Sequence, residues 1–257
     1  MPSSQLANAG PLAQASPTHL RAQHRRTNSF YTWVAVVTSL IVFAGFARTF
    51  YLKVLFGTRP LPFYLHLHGL IFTTWFVLFF VQARLVARRR VDLHRRLGVC
   101  ALVLAPLGAC MATGVSIHAV RRSYLADPTS LANVNVRPFA LDLGSSLLFL
   151  SLVAAALYFR RRGGIHKRLM VLASCSLLLP AIGRIPLHFI NAGGLWGLVG
   201  LTEVTPLACI LYDTAKHRRL HPGFAWGGLA LLSSFPAFML VGSTNLWLHV
   251  SKWLVSQ

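Results

Sequence analysis

Residues 63–122 read FYLHLHGLIFTTWFVLFFVQARLVARRRVDLHRRLGVCALVLAPLGACMATGVSIHAVRR. From Phe63 to Ala83 there is no Asp, Glu, Lys or Arg. A run of about 20 mostly apolar residues is the length that crosses a bilayer core as a helix. Lipid offers no partner to backbone N–H and C=O groups, so a spanning segment must bond them internally. Short alternating strands, the mark of a membrane barrel, are absent from the stretch. Arg84, Arg88, Arg89, Arg90, Arg95 and Arg96 then interrupt the apolar pattern, which resumes at Leu97. The stretch predicts two membrane helices joined by a cationic turn.

The same reading, carried outward, marks seven stretches: 30–47, 63–83, 97–120, 139–159, 169–190, 195–212 and 224–241, the last extending toward 249. The expected fold is all-α, a polytopic membrane helix bundle of about seven transmembrane helices occupying 29–257. Residues 1–28, rich in Ser, Ala, Gln and Pro and without apolar periodicity, read as a disordered tail. Composition agrees. Of 257 residues, 55% are apolar and only 12% charged, against about 25% charged in a soluble domain. The net charge of +20 would suit nucleic acid only if the cations formed one face of a soluble fold. They stand in short clusters between apolar runs, so no nucleic-acid partner is expected and the lipid bilayer is.

The clusters also orient the chain. Arg21, Arg25 and Arg26, the six arginines of the first turn, Arg160, Arg161, Arg162, Lys167 and Arg168, and Lys216, Arg218 and Arg219 make 17 cations on one side. Arg48, Lys53, Arg59, Arg121, Arg122, Arg137 and Lys252 make 7 on the other, and Arg184 falls within the fifth stretch. The positive-inside rule predicts a cytoplasmic N-terminus and an outer C-terminus. Arg25-Arg26 reads as part of this signal rather than as a twin-arginine leader. No cleavable signal is expected, because the first apolar run starts only near residue 30.

An internal helical-hairpin repeat relates His68–His118 to Asp142–His188. Each half starts with a polar residue at the outer end, turns at His94-Arg95-Arg96-Leu97 or His166-Lys167-Arg168-Leu169, and returns past Pro106 or Pro180 to a histidine. A third turn, His217-Arg218-Arg219-Leu220, repeats the motif alone. The turn arginines fit an interface with lipid headgroups. Cys100, Cys110, Cys175 and Cys209 all lie in spans, without a CxxC, and read as small hydrophobes with neither disulfide nor thiol chemistry.

The outer histidines carry more information. His68 begins the second span, His118 ends the third, and Arg184 and His188 close the fifth, one helical turn apart. Asp142 begins the fourth span and Glu203 lies deeper, in the sixth. Ionisable groups in spans are costly and usually face the bundle interior or a wet cavity. Imidazoles with a carboxylate suit iron, copper or zinc, and two facing imidazoles suit a haem iron. His68, His118 and His188 are therefore the candidate haem b or transition-metal ligands. Arg184 is the candidate partner of a propionate or other anion, since guanidinium pairs with carboxylate through two hydrogen bonds. Asp142 and Glu203 are the candidate lining of a polar cavity. The competing reading of each histidine is a wet interfacial side chain. His217 and His221 are spaced i, i+4, but the neighbouring arginines and Pro222 favour a solvated turn. No phosphate-binding, dinucleotide, metalloprotease or serine-elbow motif occurs, and no lysine sits mid-span in the last helix.

His66-Leu67-His68-Gly69, Gln82, Asp92-Leu93-His94-Arg95-Arg96-Leu97-Gly98 and His166-Lys167-Arg168-Leu169-Met170 resemble a group of bacterial inner-membrane proteins with repeated His-Arg-Arg-Leu turns. That group is loosely similar to cytochrome-b561-like bundles and to membrane proteins of haem-copper oxidase assembly. The resemblance covers roughly residues 60–190. It implies a bacterial cytoplasmic membrane, a b-type haem or metal role, and respiratory-complex components as partners.

Three classes of function stay open. The first is a redox or metal-binding membrane protein using the outer histidines. The second is a non-enzymatic transporter or assembly factor with a polar path along Arg184, Asp142 and Glu203. The third is a membrane-embedded metal hydrolase, for which no base-and-metal motif is present.

Overall fold

A computed structural model describes the backbone of residues 17–127, 136–186 and 188–256, and their side chains except at 17–28, 136, 188–192 and 255. Helix α1, Pro17–Phe46, opens on a proline, whose missing N–H is no loss in a first turn. Its helical start falls inside the segment 1–28 expected as a tail, whose first sixteen residues lie outside the described ones. A π-helical turn, Ala47–Tyr51, extends it. Helix α2 covers Phe63–Ala87, α3 Val91–Gly98 and α4 Cys100–Ala126. Helix α5 covers Val136–Tyr158 and leads through a single 3-10 turn into α6, Gly163–Cys175. A four-residue α7, Leu179–Ile182, precedes α8, His188–His217, then α9, Pro222–Gly242, and α10, Asn245–Ser256. No strand occurs among the described residues.

Seven of these stretches are long and apolar enough to cross a membrane: Ser29–Tyr51, Phe63–Ala87, Val91–Ala126, Arg137–Arg161, Gly163–Ile182, Gly193–His217 and Pro222–Gly242. The protein is an all-α integral membrane bundle. The fifth span differs from its expected extent, 169–190. It starts earlier and ends at Ile182. Pro180 and Pro186 each lack a backbone N–H, and a proline disfavours helix in the residue before it. Residues 183–186 form a turn and bend in consequence. Arg184 is therefore outside the span, not within it. His188 opens α8 rather than closing the fifth span, so the two do not share a helix face. Within α8, Gly194 breaks the helix with φ 56°, a left-handed conformation that glycine adopts without a Cβ penalty.

Helix α5 packs against α4, α6 and α9, while α1 packs on α2 and on α7. Phe149, Leu152, Val153 and Ala156 of α5, Val171 and Leu172 of α6 and Phe224 and Leu231 of α9 are buried in one core with Trp75 of α2. The Trp75 ring meets Phe149 edge-on at 4.8 Å. Lipid is as apolar as Leu, so van der Waals fit rather than water exclusion drives such contacts, and small residues are favoured where backbones approach. Gly45 shows this: a Cβ there would lie 2.1 Å from the Ala181 carbonyl oxygen, so α1 meets α7 only because this residue has no side chain. Trp33, Leu40, Leu147, Trp226 and Leu240 face outward. That arrangement would be a liability in water and is expected against lipid.

Candidate functional site

The three cationic turns lie at one end of the bundle, here the basic end; Asp142, His68 and Arg184 lie toward the far end. Polar side chains form three layers between these ends, the outermost of them largely exposed.

At the far end, Asp142 sits in the second turn of α5. Its Oδ2 accepts a 2.5 Å hydrogen bond from the buried Ser116 hydroxyl of α4. Arg184 lies within electrostatic range of both Asp142 and His68. It makes no ion pair with Asp142. Its Nη1 donates to the Pro180 carbonyl at 2.7 Å, and its guanidinium lies 4.8 Å over the Phe46 ring. Burial pushes Arg184 below its usual value while Asp142 pulls it back up, and a guanidinium stays charged throughout. His68, on α2, packs on Phe72, and its buried Nδ1 has no hydrogen-bond partner among the described residues. His118 is exposed, lies well before the end of α4, and packs edge-on against Tyr64, one turn from His68. The His188 side chain lies outside the described residues. Among the described residues, no three His, Cys, Asp or Glu side chains gather as a metal-ligand group.

The middle layer surrounds Glu203 of α8. Its Oε2 is buried and without a partner among the described residues. It borders a cavity of about 30 Å³ whose wall includes Ser145, Cys175, Ser176, Thr202 and Ser234. Cys175 also faces the Cys209 thiol across the bundle, within electrostatic range, and both are buried.

The layer at the basic end escaped the sequence reading. Arg168, counted there as a turn cation, is buried on α6. Its Nε and Nη2 donate to the Asp213 carboxylate of α8 at 2.9 Å and 2.7 Å, and its Nη1 donates to the Gly164 carbonyl at 2.8 Å. Arg168 is 3% exposed and Asp213 2%. Tyr31 of α1 donates to Asp213 Oδ1 at 3.4 Å, and Lys167 stands 4.7 Å over the Tyr31 ring. This pair ties α1, α6 and α8 together. The His217 ring bonds the Asp213 carbonyl at 2.8 Å, while His221 Nδ1 accepts from the Gly223 N–H at 3.1 Å. His217 ends one helix and His221 caps the next, each held by backbone, which is not the geometry of a shared metal. His94 and His166, equivalent in the two cationic turns, meet edge-on at 6.2 Å. Scarcity was the available signal for Asp213: the chain has five acidic residues, and this one directly follows the apolar stretch 195–212, four positions before His217.

Helical rise relates the layers. Counted along their own helices from the basic end, Asp142, Glu203, Cys175, Cys209 and Asp213 stand at about 24, 21, 18, 12 and 6 Å. From Glu203 onward each group lies within electrostatic range of the next: Glu203 of Cys175, Cys175 of Cys209, Cys209 of Asp213. Searches for relatives matched this chain to no family model, no curated protein and no solved structure.

Proposed function

We propose that this membrane protein is a non-enzymatic transporter that passes protons or small cations along the file from Asp142 through Glu203 to Asp213. One observation carries the reading. Three of the five acidic residues in the chain stand on membrane-spanning helices: Asp213 is buried, Glu203 is half-buried with a buried Oε2, and Asp142 is exposed with its carboxylate held by Ser116, with two thiols between Glu203 and Asp213. A carboxyl group in an apolar bundle is costly, and such groups mark ion and proton pathways more than they aid packing. The cationic turns face the cytoplasm in this reading, and the membrane is the bacterial inner membrane.

Reconstitution into liposomes with an enclosed pH dye tests it. Under an imposed membrane potential, the wild type is expected to change the internal pH faster than protein-free liposomes, and Glu203→Gln is expected to abolish the difference. Equal rates in all three preparations would reject the transport reading.

A second reading has one observation in its favour, the unpartnered Nδ1 of the half-buried His68. His68 and His118 would hold iron or haem b in a redox role, with Arg184 facing an anionic group and respiratory-complex components as partners. It ranks second because His118 is exposed and rests on Tyr64. Gently purified protein would then carry near-stoichiometric metal or a haem absorption band, lost in His68→Ala. A blank spectrum and blank metal analysis would remove this reading.

A further inference from the structure

We propose that the cavity beside Glu203 is a binding site for a dehydrated Na+ ion, which competes there with a proton for the carboxylate. The inference deepens the transport reading by naming the ion, yet binding is measurable without transport.

The wall of the cavity is built from acceptors. Ser176 Oγ donates its proton to the Ala173 carbonyl at 2.8 Å, Thr202 Oγ1 to Leu198 at 2.9 Å and Ser234 Oγ to Leu231 at 2.6 Å. Each hydroxyl has one proton, and each is committed to its own helix, so the oxygen lone pairs remain for an occupant. Pro206, also on the wall, has no N–H to give the carbonyl of Thr202 four residues before it. Glu203 Oε2 adds a buried acceptor without a donor. Among the described residues, no Lys or Arg side chain lines the cavity. The Ser145 hydroxyl, also on the wall, can turn its proton away and present its oxygen, so the set favours a cation over an anion.

Size and charge narrow the choice. A void of about 30 Å³ has room for a small ion or a few waters, which disfavours a bulky organic cation. One carboxylate neutralises one positive charge. A divalent ion would leave an uncompensated charge in the bundle, at the cost that any buried charge incurs. Hard oxygen ligands suit a hard ion rather than a soft one. Without the ion, a proton is what neutralises Glu203, so Na+ and H+ exclude one another at this oxygen.

The test uses dicyclohexylcarbodiimide, which adds to a protonated carboxyl in apolar surroundings and leaves a mass tag. Purified protein in detergent is labelled in choline chloride, KCl or NaCl, and the Glu203 peptide is followed by mass spectrometry. Bound Na+ is expected to slow labelling by a factor of 1 + [Na+]/Kd, about tenfold at ten times Kd. Choline should not slow it, and K+ should do so far less. Glu203→Gln should remove the tag from this peptide. The double variant Ser176→Ala, Ser234→Ala should keep the tag but lose protection by Na+. If that variant does not fold, the wild type alone decides, through a thermal unfolding temperature that rises in NaCl over choline chloride. Labelling that follows pH but ignores Na+ would overturn the Na+ site while leaving a proton path standing. A Glu203 that takes no label at any pH, with no stabilisation by NaCl, would overturn it as well.

Discussion

Arg168 and Asp213 show how far a residue's environment can lie from its sequence neighbours. Arg168 stands in a turn motif with Lys167, and hydropathy counts it with the interfacial cations. What buries it is a carboxylate 45 positions away on another helix, and no local window contains that partner. Asp142 and Glu203 were legible because an acidic residue in an apolar run is conspicuous. Asp213 was less so, because it falls one residue past the apolar stretch 195–212 and beside Lys216-His217-Arg218-Arg219. The pair predicts an asymmetry between two truncations. Asp213→Ala leaves a buried guanidinium, which does not deprotonate, and removing one partner of a buried pair costs about 3–5 kcal/mol. Arg168→Ala leaves a carboxyl that can take up a proton and keep its bond from Tyr31, so its loss should be smaller. Thermal unfolding in detergent compares them. Equal, small losses from both would mean that water or lipid headgroups reach the pair.

At the scale of elements, the spans were legible because apolar length is a direct demand of the bilayer. Their ends were less so. The fifth span was read through to 190 since Ile185, Leu187, Phe189 and Ile190 keep the run apolar. Backbone chemistry at Pro180 and Pro186 ends the helix there, whatever the hydropathy. The start of α9 shows a cap that no sequence rule anticipates, because His221 rather than Ser, Thr, Asp or Asn accepts the Gly223 N–H. Only a neutral imidazole has a nitrogen lone pair to accept with. Burial first, and then the nearby Arg168, hold His221 below its ordinary 6.5 in the folded chain. The unfolded chain therefore takes up the proton first as pH falls. The cap is fully present above 6.5 and is lost as pH drops through that value toward the lower folded one. Between about pH 8 and about pH 5, the wild type should lose more thermal stability than His221→Asn, whose amide caps throughout the range. Identical losses in the two proteins would show that the imidazole does not act as the cap.

For the whole molecule, the cationic turns and the intramembrane carboxyls make one argument about direction. Three hairpin turns and the N-terminal segment put 17 cations at the basic end, against 8 elsewhere once Arg184 is counted outside the fifth span. Seven spans place the start of the first and the end of the last at opposite ends of the bundle. α10 then follows the last span at the far end, where it packs on α4 and α5 and its Trp247 ring lies 5.6 Å from Phe139. Topology of this kind is legible in a sequence, since each loop contributes its charges independently. Lateral packing is not, because it depends on which helix faces meet, as Gly45 meets Ala181. The charge bias predicts that the basic end is cytoplasmic. The Arg168–Asp213 pair then sits near the cytoplasmic mouth of the polar file, and Asp142 near the outer one. Alkaline phosphatase joined at Pro128 or after Gln257 should be active, since it folds only outside the cytoplasm. A fluorescent protein joined near Gly163 should fluoresce, since it folds inside. Fluorescence from a fusion at Pro128 would invert the bundle and with it the direction assigned to the file. It would also mean that the positive charges of four separate segments had been outweighed, which on this distribution only a misplaced span could do.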